Sequence, residues 1–198
     1  MKSVGVLALQ GDVSEHVAAV QNAACRLALD CNVKEVKYPK EIESVDALIL
    51  PGGESTTIGK LLVKQGVFDL IKSRISAGMP VFATCAGMIL MAKEGDSQVE
   101  KTKQPLFGLM DYCVDRNAFG RQRESFEADL NVPVLGKEKF HAVFIRAPAV
   151  TKTWGKAKAL SKYDGKTVLV QQGKMLSVAF HPELTEDTRL HEYFLKLI

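Results

Sequence analysis

Short apolar runs alternate with stretches of helical periodicity through the first half of the chain. Residues 4–9, 33–36, 47–50 and 81–84 read as strands. Residues 14–29, 58–63, 67–75 and 86–93 space their apolar positions as helices do, with Ser14 the expected cap of the first. Strand and helix in alternation predict an α/β fold whose parallel sheet is covered on both faces. Ligands of such sheets lie beyond the carboxyl ends of the strands. Three of those ends carry Gln10-Gly11, Gly52-Gly53-Glu54-Ser55 and Cys85-Ala86, which therefore converge on one crevice.

The pattern changes in the second half. Residues 96–104 read as a polar connection, and short strands follow at 112–115, 126–130, 140–145, 168–171 and 176–180. Gln172-Gly173-Lys174 is expected to turn a hairpin between the last two. A helix over 187–197 closes the chain, with Glu186 and Asp187 near its start. No repeat, linker or low-complexity tract interrupts this order. The 198 residues suit one well-buried domain and are short for two.

Within this layout Cys85 has the most legible surroundings. An apolar strand, Val81-Phe82-Ala83-Thr84, runs into a cysteine flanked by small residues, and helical spacing resumes at once. A sharp strand-to-helix turn needs small neighbours, because its central residue is forced into a strained backbone conformation. The side chain then stands above the sheet at the positive end of a helix, where a thiolate is favoured. The alternative is a buried cysteine acting as a small hydrophobe. A nucleophile also needs a base and an orienting acid. Phe180-His181-Pro182-Glu183 supplies both, since residues two apart in an extended chain point the same way. Pro51-Gly52-Gly53 is either a tight turn or a loop whose glycine N–H joins that of Ala86 in an oxyanion hole. Arg116 and Arg146, beside strand ends, could clamp a carboxylate in bidentate fashion. His16, His141 and His191 lack such company and read as structural or surface residues.

Composition narrows the classes. A net charge of +3 with scattered basic residues gives no nucleic-acid stripe or membrane-binding helix. No apolar stretch approaches the roughly 20 residues of a membrane span, and the first nine residues read as a strand rather than a signal peptide. Cys25, Cys31, Cys85 and Cys113 form no CxxC pair, so a reducing cytoplasmic setting is expected. There is no G-x-G-x-x-G after the first strand, no Walker-type loop and no cluster with metal-ligand spacing, so neither cofactor nor metal is expected.

Taken together the segments resemble the class I, triad-type glutamine amidotransferases. Within them they are most similar to the glutaminase subunits of pyridoxal 5′-phosphate synthase. The resemblance rests on Gly5-Val6-Leu7-Ala8-Leu9-Gln10-Gly11, Pro51-Gly52-Gly53-Glu54-Ser55-Thr56-Thr57, Thr84-Cys85-Ala86-Gly87, Arg116-Asn117-Ala118-Phe119-Gly120-Arg121-Gln122, Ser125-Phe126-Glu127-Ala128-Asp129-Leu130, Phe144-Ile145-Arg146-Ala147-Pro148 and Phe180-His181-Pro182-Glu183, in order along nearly the whole chain. It implies a flavodoxin-like three-layer sandwich with a mostly parallel central sheet and additional antiparallel strands in the second half. Cys85 would be the nucleophile, His181 the base and acid, and Glu183 its orienter. Glutamine would bind at Gly52, Gly53, Glu54, Arg116, Ile145 and Arg146, with Gly53 and Ala86 forming the oxyanion hole and Gln10 facing a partner. That partner would be a separate synthase subunit receiving ammonia, with no nucleic acid or membrane involved. A glutaminase subunit of another pathway, such as histidine biosynthesis, is the alternative. Ala83 departs from the glycine usual at this elbow.

Overall fold

A computed structural model of the chain describes residues 1–120 and 125–198. Arg121 and Gln122, part of the segment matched above, lie outside the described residues.

The first half alternates as expected. Strand β1 (Lys2–Leu7), helix α1 (Val13–Arg26), β2 (Cys31–Val36), the short α2 (Pro39–Glu43), β3 (Ala47–Leu50), α3 (Ser55–Lys64), α4 (Phe68–Ser76) and β4 (Val81–Thr84) follow one another. Strands β3 and β4 are buried at every position, which explains their unbroken apolar sequences. Ser14 does not cap the first helix. Asp12 holds the N-cap position without a side-chain cap bond, and Ser14 instead donates to Glu15 within the first turn. After the elbow, α5 (Ala86–Met91) is shorter than the periodicity suggests, because the chain straightens into β5 (Ala92–Gly95). Gly87 is required here: a Cβ on it would lie 2.5 Å from the Leu50 carbonyl oxygen. Helix α5 therefore rests directly on the backbone of β3, and the Ala83 methyl fits beside that glycine.

The connection at 96–104 contains a helix, α6 (Ser97–Thr102), capped by the Asp96 carboxylate accepting from the Gln98 and Val99 N–H groups. Beyond it run β6 (Met110–Asp115), β7 (Ser125–Leu130), β8 (Phe140–Ile145), β9 (Ala149–Thr153), β10 (Lys158–Tyr163), β11 (Lys166–Gln172), β12 (Met175–Val178) and α7 (Arg189–Leu195). Strands β5, β9 and β10 are additional to those the sequence pattern predicts. The expected turn between β11 and β12 is present, with Gln172 opposite Met175 and Gly173 at φ 59°.

The main sheet has the order β2-β1-β3-β4-β12-β11-β9-β6-β5, with β10 on β11. From β2 to β12 all pairings are parallel, and antiparallel pairs follow from β12 through β6. Helix α1 packs against α7, and α3 against α4 and α5, so helices flank the sheet. Strands β7 and β8 form a separate two-stranded ribbon. Phe126 and Phe144 stack across it at 4.6 Å, and Phe144 meets Phe180 at 5.4 Å. Phe144 and Phe180, both fully buried, contribute about 1.5–3 kcal/mol each, and with the half-buried Phe126 they tie the ribbon to the chain just before His181.

Candidate active site

The parallel order places the carboxyl ends of β1, β3, β4 and β12 side by side. Their continuations, Gln10, Gly52-Gly53, Cys85 and His181, meet there as the sequence pattern requires. Between them opens a cleft of about 470 Å³ lined by Gln10, Gly53, Glu54, Cys85, Arg116, Ile145, Arg146 and His181, together with Asp12 and Asn117. The sequence reading did not select the last two.

Cys85 has φ 48° and ψ −103°, a conformation that a non-glycine residue adopts only when its surroundings impose it. Its N–H donates to the Val178 carbonyl at the end of β12, locking the elbow to the strand that leads to His181. Its Sγ lies 3.9 Å from the Ile145 carbonyl oxygen. Ala86 opens α5, and a first-turn N–H has no partner within its own helix.

His181 follows β12 after a bend, its N–H bonded to the Val143 carbonyl of β8. A 3-10 turn at Pro182–Leu184, rather than an extended strand, sets Glu183 against it. His181 Nδ1 and Glu183 Oε1 are 2.7 Å apart, which leaves Nε2 for the thiol. Burial works against charge on the imidazole. Hydrogen bonds and charges from Cys85 and Glu183 outweigh it and raise its pKa to about 10. Burial pushes the Glu183 carboxyl up, and His181 opposes that shift. Asp12 approaches from α1, with Oδ2 3.4 Å from His181 Nδ1. Asp12, His181 and Glu183 present ligand-type atoms within 4.8 Å of one another. A hydrogen-bonded histidine–carboxylate pair accounts for that grouping without an ion.

Glycine at 52 is dictated by contact. A Cβ there would lie 2.6 Å from His181 Cε1 and 3.4 Å from Cys85 Cβ. Gly52→Ala is therefore expected to displace the imidazole and lower turnover at this site about 100-fold, the scale of an ångström of misplacement. Steady-state kinetics measure this, and a wild-type rate would contradict the contact. Gly53 sits at φ 129°, open only to glycine in practice, with Gln10 Oε1 3.1 Å from where a Cβ would be. That Gln10 oxygen accepts from the Glu54 N–H at 2.9 Å.

The far end of the cleft is charged. Glu54 caps α3 by accepting from the Thr56 and Thr57 N–H groups. Burial resists its ionisation, but bonds from the Thr57 hydroxyl and these N–H groups overcome that and hold its pKa near about 2. Arg116 donates to Glu54 Oε1 at 3.0 Å and to Thr56 Oγ1 at 3.3 Å. The 96–104 segment braces this pair: Asp96 accepts from the Arg116 N–H, and Gln104 accepts from Ser55 and Thr56. Arg146, at φ 41°, turns into the cleft directly after β8. His141 is on the surface between Asp129 and Glu127, whereas His16 and His191 are fully buried.

Residues 6–198 match the family described as SNO glutamine amidotransferase. The chain belongs to that family. Among similar members, a pyridoxal 5′-phosphate synthase subunit PdxT of Saccharolobus solfataricus is 47% identical over 98% of both chains. One of the same description from Methanococcoides burtonii is 49% identical over 97% of this chain and 96% of its own. A solved glutamine amidotransferase superposes with a TM-score of 0.86 at 49% identity, covering 98% of this chain and 97% of that one. A second, from Thermotoga maritima, shares 13% identity and a TM-score of 0.60 over 98% of this chain and 83% of that one, a likeness of fold. The mostly parallel sheet with added antiparallel strands is thus the architecture of this amidotransferase family. Among the described residues no helix is long and apolar enough to cross a membrane.

Proposed function

We propose that this chain hydrolyses the side-chain amide of L-glutamine and passes the ammonia to a separate pyridoxal 5′-phosphate synthase subunit. The observation that carries it is the meeting of Cys85 and His181, the latter held by Glu183, in a cleft that the Glu54–Arg116 ion pair also lines. Relatives named as subunits of that synthase, matched from end to end, support the choice of partner. All 198 residues act as one amidotransferase domain, working in the cytoplasm.

Glutamine binds with its α-carboxylate toward Arg116 and Arg146 and its α-ammonium toward Glu54, opposite charges matched to an amino-acid zwitterion. The Cys85 sulfur, its proton carried by His181, adds to the γ-carbon, and the oxygen becomes an oxyanion held by the Gly53 and Ala86 N–H groups. His181 gives a proton to the departing nitrogen, which leaves as ammonia, and a γ-glutamyl thioester remains. Water, losing a proton to His181, then adds to the thioester. Collapse releases glutamate and restores the thiol.

Gln10 carries the partner's control. Its oxygen holds the Glu54 N–H, so a shift of the 10–12 loop on docking disturbs the Gly53–Glu54 peptide and, through Gly53, the adjoining N–H that must stabilise the oxyanion. A glycine pair changes peptide orientation at modest conformational cost. Glutamate release by the purified chain is accordingly expected to be slow alone and to rise about 100- to 1000-fold with saturating synthase, the scale of losing or regaining an oxyanion donor. Equal rates would favour a free-standing hydrolase.

A further inference from the structure

One buried histidine lies behind the triad with no part in the steps above. His16 is fully buried on α1. Its Nε2 lies 3.4 Å from Glu183 Oε2 and 3.1 Å from Thr84 Oγ1. Among the described residues Glu183 Oε2 has no hydrogen-bond partner, while Oε1 is taken by His181. A carboxylate this deeply buried requires donors on both oxygens, because an unsatisfied charged oxygen is expensive out of water. His16 Nε2 stands where such a donor is required.

We propose that His16 is a positioning residue for the glutaminase reaction: a neutral imidazole whose single Nε2–H is shared between Glu183 Oε2 and the hydroxyl oxygen of Thr84, the residue before the nucleophile. The inference rests on the triad reading above. Three observations agree with it. Asp12 and His16 stand four residues apart, on one face of the first turn of α1, so that this face meets both His181 and Glu183. The Nε2 proton also assigns the tautomer. Glu183 can only accept, and the opposite nitrogen, Nδ1, lies without a partner among the described residues, where a bare lone pair is tolerated better than a stranded N–H. Finally, the groups facing the ring keep it uncharged. Burial, with His191 from α7 at 5.8 Å between ring centroids and His181 from the β12 end, holds its pKa well below the usual value, against the charge of Glu183. A neutral donor orients the carboxylate without drawing its charge away from His181.

The test compares wild type, His16→Leu and His16→Gln, each bound to its synthase, by glutamine kinetics across pH. Glutamine keeps an N–H donor near the Nε2 position and leucine removes it. His16→Leu is expected to lower kcat by about 10- to 100-fold, the usual cost of losing an outer-shell partner, with little change in KM. Its acid limb moves to higher pH, because Glu183 without its second donor protonates more readily. His16→Gln is expected to regain most of kcat and the original limb. An unchanged rate and pH profile in the leucine variant, or equal losses in both, would overturn the inference. So that misfolding of a variant leaves the question answerable, histidine ring nitrogens of the isotopically labelled wild-type complex are also observed by NMR. A neutral, Nε2-protonated His16 from pH 6 to 9 is expected, and Nδ1 protonation or titration would overturn it. A wild-type complex that releases no glutamate would instead defeat the triad reading and this inference together.

Discussion

Cys85→Ala, assembled with its synthase, is expected to release glutamate from glutamine on the order of 10⁴- to 10⁶-fold more slowly than wild type, the usual loss for a covalent nucleophile. The reason is geometric. The elbow at φ 48° holds one side chain at the start of α5, at the cleft and within reach of His181. Ser55, the hydroxyl that also lines the cleft, is not free to replace it, because it donates to Gln104 from the N-terminal turn of α3. The fold and partner binding should survive, since the methyl of alanine occupies the existing Cβ position. Thermal unfolding and co-purification with the synthase check this beside the rate. Substantial turnover by the alanine variant would remove Cys85 from the mechanism.

The second large effect separates the two remaining members of the triad. His181→Ala should cost nearly as much as loss of the thiol, because the ring moves protons in both half-reactions and triad members act as a unit. Glu183→Ala should cost less, by about a factor of 10 to 100 relative to His181→Ala. Its role is to hold Nδ1 at 2.7 Å and favour the imidazolium, and Asp12 Oδ2, 3.4 Å from the same nitrogen, remains to do part of it. Parallel rate measurements on the two variants decide the order. A Glu183 variant slower than the His181 variant would mean the roles are reversed. The raised pKa of His181, about 10, also carries a sign. The ring keeps its proton through neutral pH and loses it only as the pH climbs toward that value, so the rate should fall on the alkaline side.

Much of this layout was legible from residue types. The apolar runs at β3 and β4 are buried on both faces, so their sequences mark them without ambiguity. Small residues around Cys85 announce the elbow, and Gly87 explains one of them by a direct approach to the Leu50 carbonyl. What escaped was local or long-range. The β10–β11 hairpin turns on Asp164-Gly165, both at positive φ, a pair that signals a two-residue turn even beside the weakly patterned Lys158–Tyr163. Helix α6 hid in a polar stretch because its stability comes from the Asp96 cap more than from an apolar face. Asp12 and His16 could not be assigned from spacing alone, since their partners are about 170 residues away and only the sheet order brings them near.

The most direct measurement of the central claim is covalent labelling with a glutamine analogue that carries an electrophilic diazoketone in place of the amide. The chain is bound to its synthase, digested, and its four cysteine peptides are weighed by mass spectrometry. Cys25 is exposed and acts as the internal control for unselective reaction. The expected result is one adduct per chain, on Cys85, suppressed by excess glutamine and absent from His181→Ala. Labelling at Cys25, Cys31 or Cys113 in its place, or labelling of Cys85 indifferent to glutamine, would contradict the account.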